Sequence, residues 1–158
     1  MTQLKYIRNI IGIFDQLQVG VVITNPRVED NPIIYVNDYV QDLTGYKEEE
    51  LLNKNCRFMQ KDDREQEEIN EIRKAIKEKR NCLVTLRNYK KDGKMFYNEL
   101  LISPLFDEQG NLVYFVGVQK DVTMERLFKE NLITKEILQE KEIERLNLDL
   151  TKLLNQRV

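Results

Sequence analysis

The sequence predicts an α+β domain, a five-stranded antiparallel sheet with helices on one face, plus an N-terminal and a C-terminal flanking helix. Three observations carry this prediction. Two short β-branched runs stand before a helical middle. Three longer strand-like runs follow it, joined by Asp92-Gly93 and Asp107-Glu108-Gln109-Gly110 turns. From Met124 onward there is neither Gly nor Pro, and the pattern becomes helical.

The elements follow in order. Residues 1–17 form a flanking helix, with Leu4, Ile7, Ile11 and Phe14 at 3-4-3 spacing. The domain proper spans 18–123. Val19–Thr24 is a strand stopped by Asn25-Pro26, and Pro32–Val36 a second, with Pro32 suited to an edge or first position. Short helices are predicted at Asp38–Leu43 and Lys47–Leu52, with Gly45 as the cap between them. A longer helix is predicted over Asp63–Lys79, capped by Asp62 or Asp63 and turning Ile69, Ile72 and Ile76 inward. Strands at 82–91, 94–105 and 111–122 complete the sheet. The final helix spans 124–158; Ile143, Leu146, Leu150 and Leu153 step as a coiled-coil seam, whereas Leu127/Phe128, Leu132/Ile133 and Ile137/Leu138 spread apolar surface around the helix.

Composition narrows the function classes. The 158 residues carry a net charge of −2, which supplies neither the basic field that nucleic acid requires nor a polybasic membrane anchor. No apolar run approaches the roughly 18 residues of a spanning helix, and no signal-peptide pattern opens the chain, so it reads as cytoplasmic. Two cysteines do not make a disulfide scaffold. There is no histidine, which removes imidazole acid–base catalysis, His-ligated haem, Cys/His zinc sites and a phosphoacceptor histidine. No hydrolase or transferase site can be assembled, and the chain reads as a non-enzyme.

Sheet geometry marks a site. With a four-residue loop at 107–110, Asn98 faces Gln119, Leu100 faces Gly117 and Ile102 faces Phe115; with a three-residue loop at 92–94, Asn88 faces Asn98. Asn88, Asn98 and Gln119 then form one row on a face shared with Leu86, Leu100, Ile102 and Phe115. Either this is a solvated polar face, or the carboxamides are buried and require a flat heterocycle with alternating donors and acceptors. Arg57 and Arg73 are either surface charges or a bidentate phosphate pair. Arg64 reads as a solvated helix charge rather than a further phosphate ligand. Cys56 lacks any base to activate it, and Cys82 reads as a packed strand residue.

The stretch Asn55-Cys56-Arg57-Phe58-Met59-Gln60 resembles the NCRFLQ signature of the light-oxygen-voltage (LOV) family of PAS domains. Thr24-Asn25-Pro26, Asp30 to Asn37, Asn88 to Gly93, Phe96 to Leu100 and Tyr114 to Gln119 resemble the family in order and spacing over residues 19–123. The resemblance implies a PAS/LOV fold and a blue-light photoreceptor that binds flavin mononucleotide (FMN) non-covalently. It implies that Asn88, Asn98 and Gln119 bond the dimethyl-distal ring edge and that Arg57 and Arg73 hold the phosphate. Gln60 and Asn55 would lie near the ribityl chain and ring, and Thr24, Asn31, Met59, Ile69, Ile72, Leu100, Ile102, Phe115 and Gly117 would complete the cofactor site; no metal is implied. Cys56 would form a reversible bond to flavin C4a after illumination, and Gln119 would turn its amide in response.

Output is expected through the flanking helices of a homodimer to an unknown downstream protein, without nucleic acid or membrane. A flavin-free PAS interaction module and a flavin redox sensor without light chemistry are the alternatives. Four positions depart from the family: Met59 for Leu, Lys61 for Gly, Tyr97 for Trp and Gly20 for Asn.

Overall fold

The computed structural model describes Phe14 and residues 16–155. The N-terminal helix expected over 1–17 therefore lies almost wholly outside the described residues. The described chain divides at Val122/Thr123 into two units.

The first unit is built on a five-stranded antiparallel sheet. Its strands are β1 (Gly20–Thr24), β2 (Ile33–Val36), β3 (Cys82–Tyr89), β4 (Met95–Phe106) and β5 (Leu112–Asp121), in the order β2-β1-β5-β4-β3. The helical middle holds α1 (Asp38–Thr44), α2 (Glu48–Leu51), a 3-10 turn (Cys56–Gln60) and α3 (Glu67–Glu78). Gly45 ends α1 with φ 76°, a left-handed conformation that costs glycine little and lets its N–H return to the Gln41 carbonyl. Val22, Ile33, Val36, Val40 and Leu51 pack between the first hairpin and the short helices; Ala75, Cys82, Ile102 and Phe115 pack under α3. Fully burying a Val, Leu, Ile or Phe side chain among them contributes about 1.5–3 kcal/mol. Cys82 is the packed residue its strand position predicts.

Both hairpin registers differ by two residues from the sequence prediction. Asn98 stands opposite Leu86 and Asp121, not Asn88 and Gln119; Leu100 faces Gln119, and Ile102 faces Gly117. The cause lies in the loops. The first is Lys91-Asp92-Gly93, closed by the Lys90 N–H on the Lys94 carbonyl, because Gly93 takes the left-handed φ of 91° at the loop's last position. In the second, the Asp107 carboxylate accepts from the N–H groups of Gln109 and Asn111 and holds a five-residue loop, with a bulge at Leu105/Phe106. The pleat repeats every two residues, so a two-residue slip leaves every side chain on its predicted face.

The long middle helix begins at Glu67, not Asp63. Asp63 is no cap: its carboxylate takes two hydrogen bonds from the Arg87 guanidinium, at 2.7 and 2.8 Å, and one from the Tyr89 hydroxyl at 2.9 Å. Buried Gln66 accepts from the Arg87 N–H and donates to the Arg87 carbonyl, so its amide acts as one residue of a strand paired to the edge of β3.

The second unit contains one long helix, α4 (Thr123–Asn155). Leu127, Phe128, Leu132, Ile133, Ile137, Leu138, Ile143, Leu146 and Leu150 are exposed along it. Leu153, the last residue of the expected seam, is not among the described side chains.

Candidate ligand-binding site

A cavity of about 210 Å³ lies between the inner face of the sheet and the helical middle. Its floor is Val22 and Thr24 from β1, Leu86 and Asn88 from β3, Asn98, Leu100 and Ile102 from β4, and Phe115, Gly117 and Gln119 from β5. Strand alternation puts them there, every second residue pointing the same way. Across from them α3 contributes Ile69, Ile72, Ile76 and Arg73, at spacings of three and four that share one face. The 3-10 turn adds Cys56, Arg57, Met59 and Gln60, and Asn31, Asn55 and Arg64 close the rim.

The carboxamides at one end are buried and joined. Asn98 Nδ2 donates to Asn88 Oδ1 and to Gln119 Oε1, each at 2.9 Å. These are diagonal neighbours across the strands, within reach of long side chains although not directly opposed. Asn98 Oδ1 and Gln119 Nε2 are buried without a hydrogen-bond partner in the described structure. One is an acceptor and the other a donor, and leaving each unmet costs about 1–3 kcal/mol. A ligand edge presenting an N–H beside a carbonyl answers both. With apolar residues from both layers facing the cavity, the arrangement suits a flat ring whose polar edge meets the amides.

Cys56 lies in the wall opposite the sheet. Asn55 starts its turn, accepting from the Arg57 N–H at 3.0 Å. Burial pushes the Cys56 thiol up to about 12, against weaker lowering by its own backbone hydrogen bond and the Arg57 charge. The sulfur therefore keeps its proton through the physiological range. No imidazole exists in the chain to remove it.

The other end of the cavity is cationic. Arg57, Arg73, Asn31, Asn55 and Ile76 also line an adjoining open recess with residues 26–30. Arg57 donates to the Asp30 carboxylate, and Arg73 to Asn70 Oδ1 at 3.1 Å. Both guanidiniums are exposed. Asn31 Oδ1 is a third buried atom without a partner among the described residues, and Asn55 Nδ2 donates to the Asp30 carbonyl.

Every residue singled out from the sequence as a site residue lines this cavity. Arg64, read there as a solvated helix charge, lies before the helix, exposed at the rim, with Nε donating to the Lys61 carbonyl. Val22, Leu86 and Ile76 join the lining; strand parity and the inward face of α3 were the signals for all three. Gln66 and Asn37 went unread, because a polar side chain that braces the backbone looks in sequence like a solvated one; the pairing of Asp30 with Arg57 went unread because the two lie twenty-seven residues apart. Among the described residues no cluster of three His, Cys, Asp or Glu could hold a metal.

A small sheet and a helical cover thus enclose an amide-edged cavity. The PAS domain model matches residues 18–124. A "Blue-light photoreceptor" of Listeria monocytogenes serovar 1/2a is 52% identical over 114 residues, 72% of this chain and 45% of that protein. Phototropin-2 of Oryza sativa subsp. japonica is 44% identical over 107 residues, 68% of this chain and 12% of that protein. A solved light-oxygen-voltage domain, described with a flavin analogue, is 34% identical with a TM-score of 0.69, covering 80% of this chain and 96% of that one. The chain belongs to the PAS family and, within it, to the light-oxygen-voltage domains. It spans less than half the length of these two curated relatives.

Proposed function

We propose that this chain is a blue-light-sensing domain that holds FMN in the cavity and signals through its flanking helices rather than by catalysis. The observation that carries the reading is the pair of orphaned amide atoms, Asn98 Oδ1 and Gln119 Nε2, at one end of a cavity whose wall holds a protonated thiol. The pyrimidine edge of an isoalloxazine offers the N–H and carbonyl that those atoms lack. Similarity to a photoreceptor and to a phototropin supports the light response.

Asn88, Asn98 and Gln119 would hold the ring's polar edge; Leu100, Ile102, Phe115 and Gly117 would take one face, and Ile69, Ile72 and Met59 the surroundings on the other side. Thr24, Asn31, Asn55 and Gln60 would bond the ribityl hydroxyls. Arg57 and Arg73 would hold the phosphate by charge-assisted bonds. When bound, the flavin supplies blue-light absorption and an excited ring that accepts both the sulfur and the proton of a nearby thiol. Cys56 needs no lowered pKa for such a role, because light rather than a base makes its partner reactive. Gln119 carries an acceptor and a donor on one amide, so it can answer a change of protonation at the ring edge by turning.

The test is optical. The purified protein should be yellow, bleach under blue light and recover in darkness. A colourless protein that takes up no added flavin would point to an interaction module; a yellow protein that never bleaches would point to a redox sensor.

A further inference from the structure

We infer that Gly20 is a positioning residue for Gln119: it supplies the empty space against which the Gln119 amide lies, and Asn37 holds the backbone there so that the space cannot widen. The bearing on flavin contacts rests on the function proposed above; the steric inference does not.

Gly20 is buried in β1 directly opposite Gln119 of β5. Its backbone is not left-handed, so conformational freedom does not explain a glycine within this strand. Space does. A Cβ placed on Gly20 would lie 2.7 Å from Gln119 Cγ, 2.9 Å from Val40 Cγ2 and 3.4 Å from Gln119 Nε2. The first two are closer than carbon atoms tolerate, so something must move.

Neighbouring contacts decide what moves. Asn37 accepts from the Val21 N–H at 2.8 Å, donates its amide to the Val19 carbonyl at 2.9 Å, and donates its own N–H to the Val21 carbonyl at 3.1 Å. The residues on both sides of Gly20 are thus bound to one buried side chain, and the ladder to β5 holds the other edge. Val40 is fully buried and β-branched, with little rotamer freedom. Gln119 is the side chain with soft torsions, fastened within the described structure only through Oε1 to Asn98. A methyl at position 20 therefore displaces the Gln119 amide and breaks its bond to Asn98, and the same boundary limits how the amide turns.

Side-chain amide NMR of the ligand-free protein tests this without any flavin. In Gly20→Ala the Asn98 and Gln119 amide signals should shift and their hydrogen exchange should quicken at least about tenfold, the loss of ~1.4 kcal/mol of protection. Gly20→Ala/Val40→Ala, which empties the second contact, should recover part of that protection. Should Gly20→Ala fail to fold, Val40→Ala carries the test: widening the slot alone should accelerate Gln119 amide exchange. Unchanged Asn98 and Gln119 signals in a folded Gly20→Ala protein, or unchanged exchange in Val40→Ala, would overturn the inference. In flavin-loaded protein, Gly20→Ala should also shift the ring carbonyl vibration and reduce its light-induced change. A wild type that takes up no flavin would overturn the proposed function and leave the NMR result to decide the role of Gly20.

Discussion

At the scale of single residues, the proposed light chemistry turns on Cys56. Its removal leaves the amide row and both arginines in place, so Cys56→Ala should retain flavin but lose bleaching, read as steady blue-excited fluorescence; a variant that still bleaches would move the reactive thiol elsewhere. Burial raises the Cys56 pKa from 9.0 to about 12, so the unfolded chain ionises first. Stability should then be unaffected by this group below pH 9 and fall as pH rises from about 9 towards 12. The difference between wild type and Cys56→Ala in urea unfolding should show that slope. Lys61 is a second residue-scale site. It takes φ 49°, ψ −126°, a conformation suited to glycine. Lys61→Gly should relieve strain and raise stability by about 1 kcal/mol, seen as a higher urea midpoint with an unchanged slope.

At the scale of elements, the segment between the Cys56 turn and α3 is held to the sheet edge. The Asp63–Arg87–Tyr89 cluster and the Gln66 amide fasten it to β3, and the Asp63 N–H reaches the Gln60 carbonyl, whose side chain lines the cavity. The Arg87 guanidinium beside Asp63 holds its carboxyl below 3.8. That contribution is present at neutral pH and is lost as pH falls below 3.8 through the lowered value. Asp63→Asn should flatten this acid limb and release flavin about threefold faster, the scale of a partly exposed ion pair. An unaltered release rate would show that the strap does not close the cavity. At the opposite end, replacing Arg57 and Arg73 together by Ala should weaken FMN far more than riboflavin, at ~1.5–3 kcal/mol for each charge-assisted bond. Equal losses in a titration would place the phosphate elsewhere.

For the whole molecule, the proposed function requires that a change at Gln119 leave the domain. Gln119 is in β5, and α4 begins four residues later, at Thr123. Ile143, Leu146 and Leu150 are each more than half exposed on that helix. Apolar seams of this kind favour association at roughly 25 cal/mol per Å² buried. We therefore expect a symmetric homodimer joined through the flanking helices, in which light biases two packings by a coupling of about 1–3 kcal/mol. Scattering at several concentrations, dark and lit, should show a dimer whose light response is lost in Gln119→Leu. A monomer in both states, or a response unchanged in that variant, would refute the scheme.

What the sequence determined by itself was whatever depends on periodicity and residue type. Strand alternation placed Asn88, Asn98 and Gln119 on one face, and that survived a register error because an even slip preserves the face. The absence of histidine excludes imidazole chemistry without coordinates. Tertiary structure decided what depends on partners distant in the chain. Asp63 looks like a cap until Arg87, twenty-four residues away, claims it. Loop length at 107–111 depends on how one carboxylate bonds the backbone, which spacing cannot show. Gly20 reads in sequence as a missing amide; only the packed strands reveal it as the space Gln119 occupies, because steric exclusion exists between neighbours in three dimensions and leaves no trace in local pattern.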